Sequence, residues 1–131
     1  MSWKMNDKEF QAVLLLPGKK RYEYFIKRVT DWEELWSLRD ENGWVLMGDN
    51  EGNKLVPVWP HIRFAQANAT GEWDGCSPKA IRLSMWLEYW IPGMLRDHRL
   101  VAVFPTPLNT GVVVSPERLR IDLEIELSLY E

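Results

Sequence analysis

Trp59-Pro60-His61 sets an imidazole directly after an aromatic residue and a proline. A strand ending at Trp59, a turn at Pro60 and a helix beginning near His61 would stand that ring at a helix N-terminus. The helix dipole there disfavours imidazolium, and a neutral ring can act as base or ligand. The ordinary reading, and the favoured one, is that Trp59 fills the core and His61 hydrogen-bonds locally. A second constellation is Gly71-Glu72-Trp73-Asp74-Gly75-Cys76, where two carboxylates flank a tryptophan in a glycine-rich loop. Such a loop can wall a polar pocket. Paired carboxylates also serve glycosidases, but on one short loop they are a weak signal, and a packed loop pinned by Trp73 is simpler. The candidate ligand-binding set is Trp59, His61, Glu72 and Trp73, and no residue is assigned a catalytic role.

Other reactive residues lack supporting spacing. A Cys76–His61 thiol dyad would need a cation to stabilise thiolate, and only Lys79 is near in sequence. Cys76, His61 and His98 show no paired ligand spacing for zinc, so no metal site is assigned. Asn68-Ala69-Thr70 matches a glycosylation acceptor, a pattern that also arises by chance. Lys19-Lys20-Arg21 with Lys27-Arg28 is read as the solvated face of a helix rather than a phosphate site. Gly48 and Gly52 are separated by acids that would repel phosphate.

The elements that must position these residues follow from local pattern. Asn6, with Glu9 three residues on, opens a helix stopped by Pro17-Gly18. Tyr22, Phe25, Ile26 and Val29 form the apolar stripe of a second helix, completing a helical hairpin that Thr30-Asp31 breaks. A three-stranded antiparallel meander follows, with strands near Trp36–Arg39, Trp44–Met47 and Leu55–Trp59; Pro57 marks an edge or a bulge. His61–Asn68 reads as helix. Ser84 caps a helix through Ile91 that is apolar on nearly every side and ends at Pro92-Gly93. Leu100–Phe104 and Val112–Val114 read as strands. Trp36, Trp44, Trp59, Trp86 and Phe104 are the expected core.

The last segment carries two conflicting signals. Leu119, Ile121, Leu123, Ile125, Leu127 and Leu129 alternate with polar residues, the period of a strand. Ser115-Pro116-Glu117 is a helix start, and Leu, Glu and Arg favour helix. Helix is the reading adopted. It buries Leu119, Leu123, Leu127 and Tyr130 and turns Ile121, Ile125 and Leu129 outward as a candidate interface. The fold expected is α+β: one domain over residues 1–131, with an N-terminal helical hairpin, one small mostly antiparallel sheet of about five strands and a C-terminal helix.

A chain of 131 residues with 46% apolar residues can bury a core without staples. A single cysteine forbids an internal disulfide and fits a reducing compartment. No apolar run is long enough to span a bilayer and no secretory pattern opens the chain, so a cytoplasmic location is expected. Net charge of −3 supplies no field to draw nucleic acid. No cofactor is expected, because no motif for one is present.

The chain resembles the bacterial family known as domain of unknown function 2750. The likeness runs in order through Phe10, Leu14, Leu16-Pro17, Arg21-Tyr22, Phe25, Glu34-Leu35-Trp36, Gly43-Trp44, Val58-Trp59-Pro60-His61, Ala65 and Gly71-Glu72-Trp73. It continues through Trp90-Ile91-Pro92-Gly93, Val103-Phe104-Pro105-Thr106-Pro107, Gly111-Val112-Val113-Val114 and Pro116-Glu117. The resemblance implies a small soluble α+β domain and brings no activity or site residue. A fainter likeness, in strand order and in Val103–Thr106, is to SseB-like domains.

Two functions are then expected. The first is a non-enzymatic interaction domain that binds a protein partner or a second copy of itself, immunity- or inhibitor-like in one version. It rests on eight tryptophans, a residue favoured as an interface anchor, and on the acidic balance. The second is a small-molecule-binding protein or hydrolase, whose pocket would join Trp59, His61, Glu72 and Trp73.

Overall fold

Asn6 opens the first helix, α1 (Asp7–Leu14), by accepting a hydrogen bond from the Glu9 amide at 2.8 Å. The Glu9 carboxylate does not close the capping box; it accepts from the Tyr24 hydroxyl at 2.7 Å and pairs with Arg28. The structure is a computed structural model that describes residues 3–130. In α2 (Gly18–Trp32) Phe25, Ile26 and Val29 face the core. Thr30-Asp31 does not break α2. The Thr30 hydroxyl donates back to Ile26 O at 2.9 Å, and the helix runs to Trp32 before Glu33 turns left-handed at φ 55°.

The strands make two small sheets, not the single sheet expected from alternation. β1 (Glu34–Asp40) lies between β2 (Gly43–Trp44) and β5 (Ser77–Arg82), all antiparallel. The second sheet runs β3 (Met47–Gly48), β4 (Lys54–Val58), β6 (Leu100–Val103), β7 (Val112–Val114), and its β4–β6 pair is parallel. The expected turns at Asp40–Gly43 and Gly48–Asn53 do form, but the expected middle strand Trp44–Met47 breaks into β2, which pairs with β1, and β3, which pairs with β4, so the meander divides between the two sheets. Trp36 and Trp59 join the sheets by exchanging two backbone hydrogen bonds of 2.8 Å.

Pro57 sits inside β4, paired opposite Ala102, rather than at a sheet edge. Its carbonyl accepts from the Ser37 hydroxyl at 2.7 Å. A residue's N–H and C=O leave a strand on the same side, so the absent N–H faces Ser37 and breaks no ladder bond.

α3 (Ile62–Ala67) follows. After β5, α4 (Leu83–Met85), a π-helical turn over Trp86–Trp90 and α5 (Ile91–Arg96) form one continuous rod. Pro92-Gly93 therefore does not end the helix, and Ser84 lies inside it rather than capping it. The widened π turn ahead of Pro92 removes the tight i→i+4 register in which a proline ring clashes. Nor is the rod buried all round: Trp86, Ile91 and Met94 are buried, while Met85 and Tyr89 are 45% and 60% exposed.

The C-terminal segment is helix, α6 (Pro116–Ser128), capped by Ser115, whose side chain accepts from the Arg118 amide at 3.0 Å. It packs on α2, α5 and β6. Leu119 and Leu123 are fully buried; Tyr130 lies past the helix end, exposed, and donates to Asp31 Oδ1 instead of entering the core. Trp59, Trp86 and Phe104 are fully buried with Phe25, Phe64 and Leu35, while Trp36 and Trp44 are half-buried. The architecture is α+β, with helices before, between and after the strands. No helix among the described residues is long and apolar enough to cross a membrane.

Candidate functional site

His61 is the N-cap of α3 and only 3% exposed. Its Nδ1 accepts from the Arg63 amide at 3.1 Å. Nε2 therefore carries the hydrogen and donates to Trp3 O at 2.7 Å. Trp3 lies 4.6 Å from the imidazole centroid and stacks on Trp32, and Arg28 covers its ring at 5.0 Å. Nε2 thus ties the N-terminal segment to α3 while Nδ1 caps the helix, so the one lone pair of the neutral ring is already engaged. Trp59 donates from Nε1 to Pro105 O at 2.8 Å and meets Trp73 edge to face at 6.2 Å. Trp73 belongs to a 3-10 turn over Gly71–Trp73 that carries Glu72 into solvent. The four candidate residues thus divide: Trp59 touches Trp73, His61 is held from the N-terminal side, and Glu72 faces outward.

Glu72 lines a cleft of about 500 Å³, with Arg39, Asp40, Asp74, Cys76 and Lys79 among its walls; His61 is not part of it. Burial, and then the Asp40 and Asp74 carboxylates, push the Cys76 thiol above its ordinary range. A thiol held protonated is a poor nucleophile, so this cleft gives a thiol dyad no support. Iodoacetamide at pH 8 is expected to alkylate Cys76 more slowly than a free cysteine; an equal rate would show a readily formed thiolate. No group of three His, Cys, Asp or Glu among the described residues could hold a metal ion. Asn68 donates from Nδ2 to Phe64 O at 2.8 Å and is 7% exposed, so its amide is engaged in the fold rather than presented for glycosylation.

Two features lay outside the reach of local pattern. Arg21, placed by composition on a solvated helix face, is 5% exposed and folds back on the start of α2. Phe104 is fully buried yet has φ 59°, a conformation that bulky side chains avoid. Their signals were a basic run interrupted by apolar neighbours and a Phe-Pro-Thr-Pro string; neither states a contact. On α6 the outward row is laid out as expected: Ile121, Ile125 and Leu129 are 39%, 59% and 71% exposed.

The sequence profile of the family described as "Protein of unknown function (DUF2750)" matches residues 22–123, well over half of the chain. No curated protein matches the chain.

Proposed function

The chain belongs to the DUF2750 family, and from that premise we propose that it is a protein-interaction domain that pairs with a second copy of itself along α6. The observation that carries this reading is the exposed row Ile121, Ile125 and Leu129 on a helix whose other face is anchored by Leu119 and Leu123. An exposed apolar row of this kind favours a cover. A two-fold axis level with Leu123 would set Ile121 of one copy against Ile125 of the other, a self-complementary contact that closes the assembly. The flanking cations already have partners within α6, Arg118 with Asp122 and Arg120 with Glu117 and Glu124, so the apolar row is the part of this face that a second copy would cover. Cys76, the only thiol, suits a reducing compartment such as the cytoplasm. Ligand binding by Trp59, His61, Glu72 and Trp73 has less support, because the Glu72 cleft does not include His61.

Sedimentation at micromolar concentration tests the pairing. The wild type is expected to be a dimer, and Ile121→Glu/Ile125→Glu a monomer with unchanged circular dichroism, because both sites are exposed. A wild type already monomeric under those conditions overturns the reading.

A further inference from the structure

The first turn of α2 gathers positive charge, of which only Lys20 meets a carboxylate among the described residues, Glu23 at 3.5 Å. Pro17 occupies the N-cap position and supplies no side-chain acceptor. The opening amides of a helix lack intrahelical partners, and here these belong to Gly18, Lys19 and Lys20; the Arg21 amide reaches Pro17 O at 2.9 Å. The helix dipole favours an acid in this turn, and none is present. Lys19 and Lys20, both exposed, add two cations.

Arg21 adds a third, and this one is buried. Its side chain turns back along its own helix, so that Nη2 stands 3.9 Å from the Cβ position of Gly18. Nη1 donates to Leu16 O at 2.7 Å and Nη2 to Asn109 Oδ1 at 3.3 Å, both neutral acceptors. Nε is buried with no hydrogen-bond partner among the described residues. None of the ion pairs among the described residues includes Arg21. A desolvated cation without a counter-ion is costly wherever it lies, and more so beside the positive end of a helix.

The surroundings hold the guanidinium in place. Asn109 Oδ1 also accepts from the Gly111 amide at 2.7 Å, and Thr106 and Asn109 exchange backbone hydrogen bonds of 2.8 and 3.1 Å. The Phe104 ring centroid lies 6.0 Å from the Arg21 guanidinium carbon. Arg21 is thus fixed against the helix start by a braced loop, and a fixed donor loses little freedom when an anion arrives.

We propose that the first turn of α2, with Arg21 behind it and Lys19 and Lys20 beside it, binds a phosphate-type oxyanion, either free phosphate or the phosphate of a small monoester. The three free amides offer donors to its oxygens. The fixed guanidinium supplies the charge that selects an anion over a neutral group, and the lysines suit a dianion. This site is independent of the α6 pairing and needs no second copy.

The test titrates inorganic phosphate, and separately glycerol 3-phosphate, into ¹⁵N-labelled full-length protein, with sodium chloride at matched ionic strength as control. Saturable shifts centred on the Gly18, Lys19 and Lys20 amides and on Asn109 to Gly111 are expected with a phosphate probe and not with chloride. Tighter binding of the ester assigns a phosphate monoester, and tighter binding of inorganic phosphate assigns the free ion. Lys19→Gln/Lys20→Gln, at exposed positions, is expected to weaken binding about tenfold, and Arg21→Met to abolish it. Shifts scattered over the surface lysines without saturation, or reproduced by chloride, overturn the proposal. Should Arg21→Met fail to fold, the wild-type shift map and the lysine variant decide.

Discussion

Gly111→Ala is expected to destabilise the domain by about 3–5 kcal/mol, the sum of a left-handed backbone forced on alanine and a collision it cannot relieve. After β6 the chain turns at Phe104, loops through Pro105 to Thr110 and returns to lay Gly111 on the strand it has just left. A Cβ there would lie 2.5 Å from Val103 O, 2.8 Å from Pro105 N and 3.0 Å from Phe104 C. All three are backbone atoms, so no side chain can swing aside. Gly52 separates the two causes. It shares the φ of 84° but would meet nothing within 4 Å, so Gly52→Ala should cost only about 1–2 kcal/mol. Urea titration of both variants measures the difference. Equal losses would mean that the loop relaxes and that the close approach at Gly111 is not rigid.

The same loop carries Asn109 to Arg21, so its rigidity bears on the anion site as well as on stability. Nothing near Arg21 in the sequence announces this, because Asn109 lies 88 residues away. Local signals were legible where the physics is local. Asn6 and Ser115 cap the helices they precede, and Ser115-Pro116-Glu117 decided for helix where alternation argued for strand. A cap fixes backbone at its own position, whereas period-2 alternation needs a neighbouring strand to be satisfied, and β7 already supplies the edge of that sheet.

What the sequence left open depends on distant partners. Alternation marks strands but not which pair, so the insertion of β5 beside β1 and of β6 beside β4 could not be read from it. His61 was legible as a helix start. The fate of its second nitrogen was not, since Trp3 lies 58 residues away. The site set mixed residues that do touch, Trp59 and Trp73, with one turned to solvent, Glu72. The π turn has no local signature, and so Pro92-Gly93 reads locally as a stop although the helix passes through it.

Trp86→Ala is expected to cost about 3–5 kcal/mol; replacement of the core tryptophans by phenylalanine separates what each indole nitrogen contributes. Trp59 and Trp86 are both fully buried. Trp86 sits on the π turn and stacks on Trp90 at 5.4 Å, which in turn meets Trp44 edge to face at 4.9 Å. Its Nε1 has no hydrogen-bond partner among the described residues. Trp59 Nε1 donates to Pro105 O at 2.8 Å. Phenylalanine removes a similar volume at both sites but has opposite polar consequences. At Trp86 it deletes a buried donor that satisfies nothing, which offsets part of the lost packing. At Trp59 it leaves the buried Pro105 carbonyl without its donor, and an orphaned buried group costs about 1–3 kcal/mol. Trp59→Phe should therefore be less stable than Trp86→Phe by about 1–3 kcal/mol in paired urea titrations. The Pro105 carbonyl lies on the same turn as Phe104, so the larger loss should also disturb the amide resonances of Phe104 to Gly111. Equal losses, or a greater loss at Trp86, would show that packing dominates at both sites and that the Trp59–Pro105 hydrogen bond does not hold the loop.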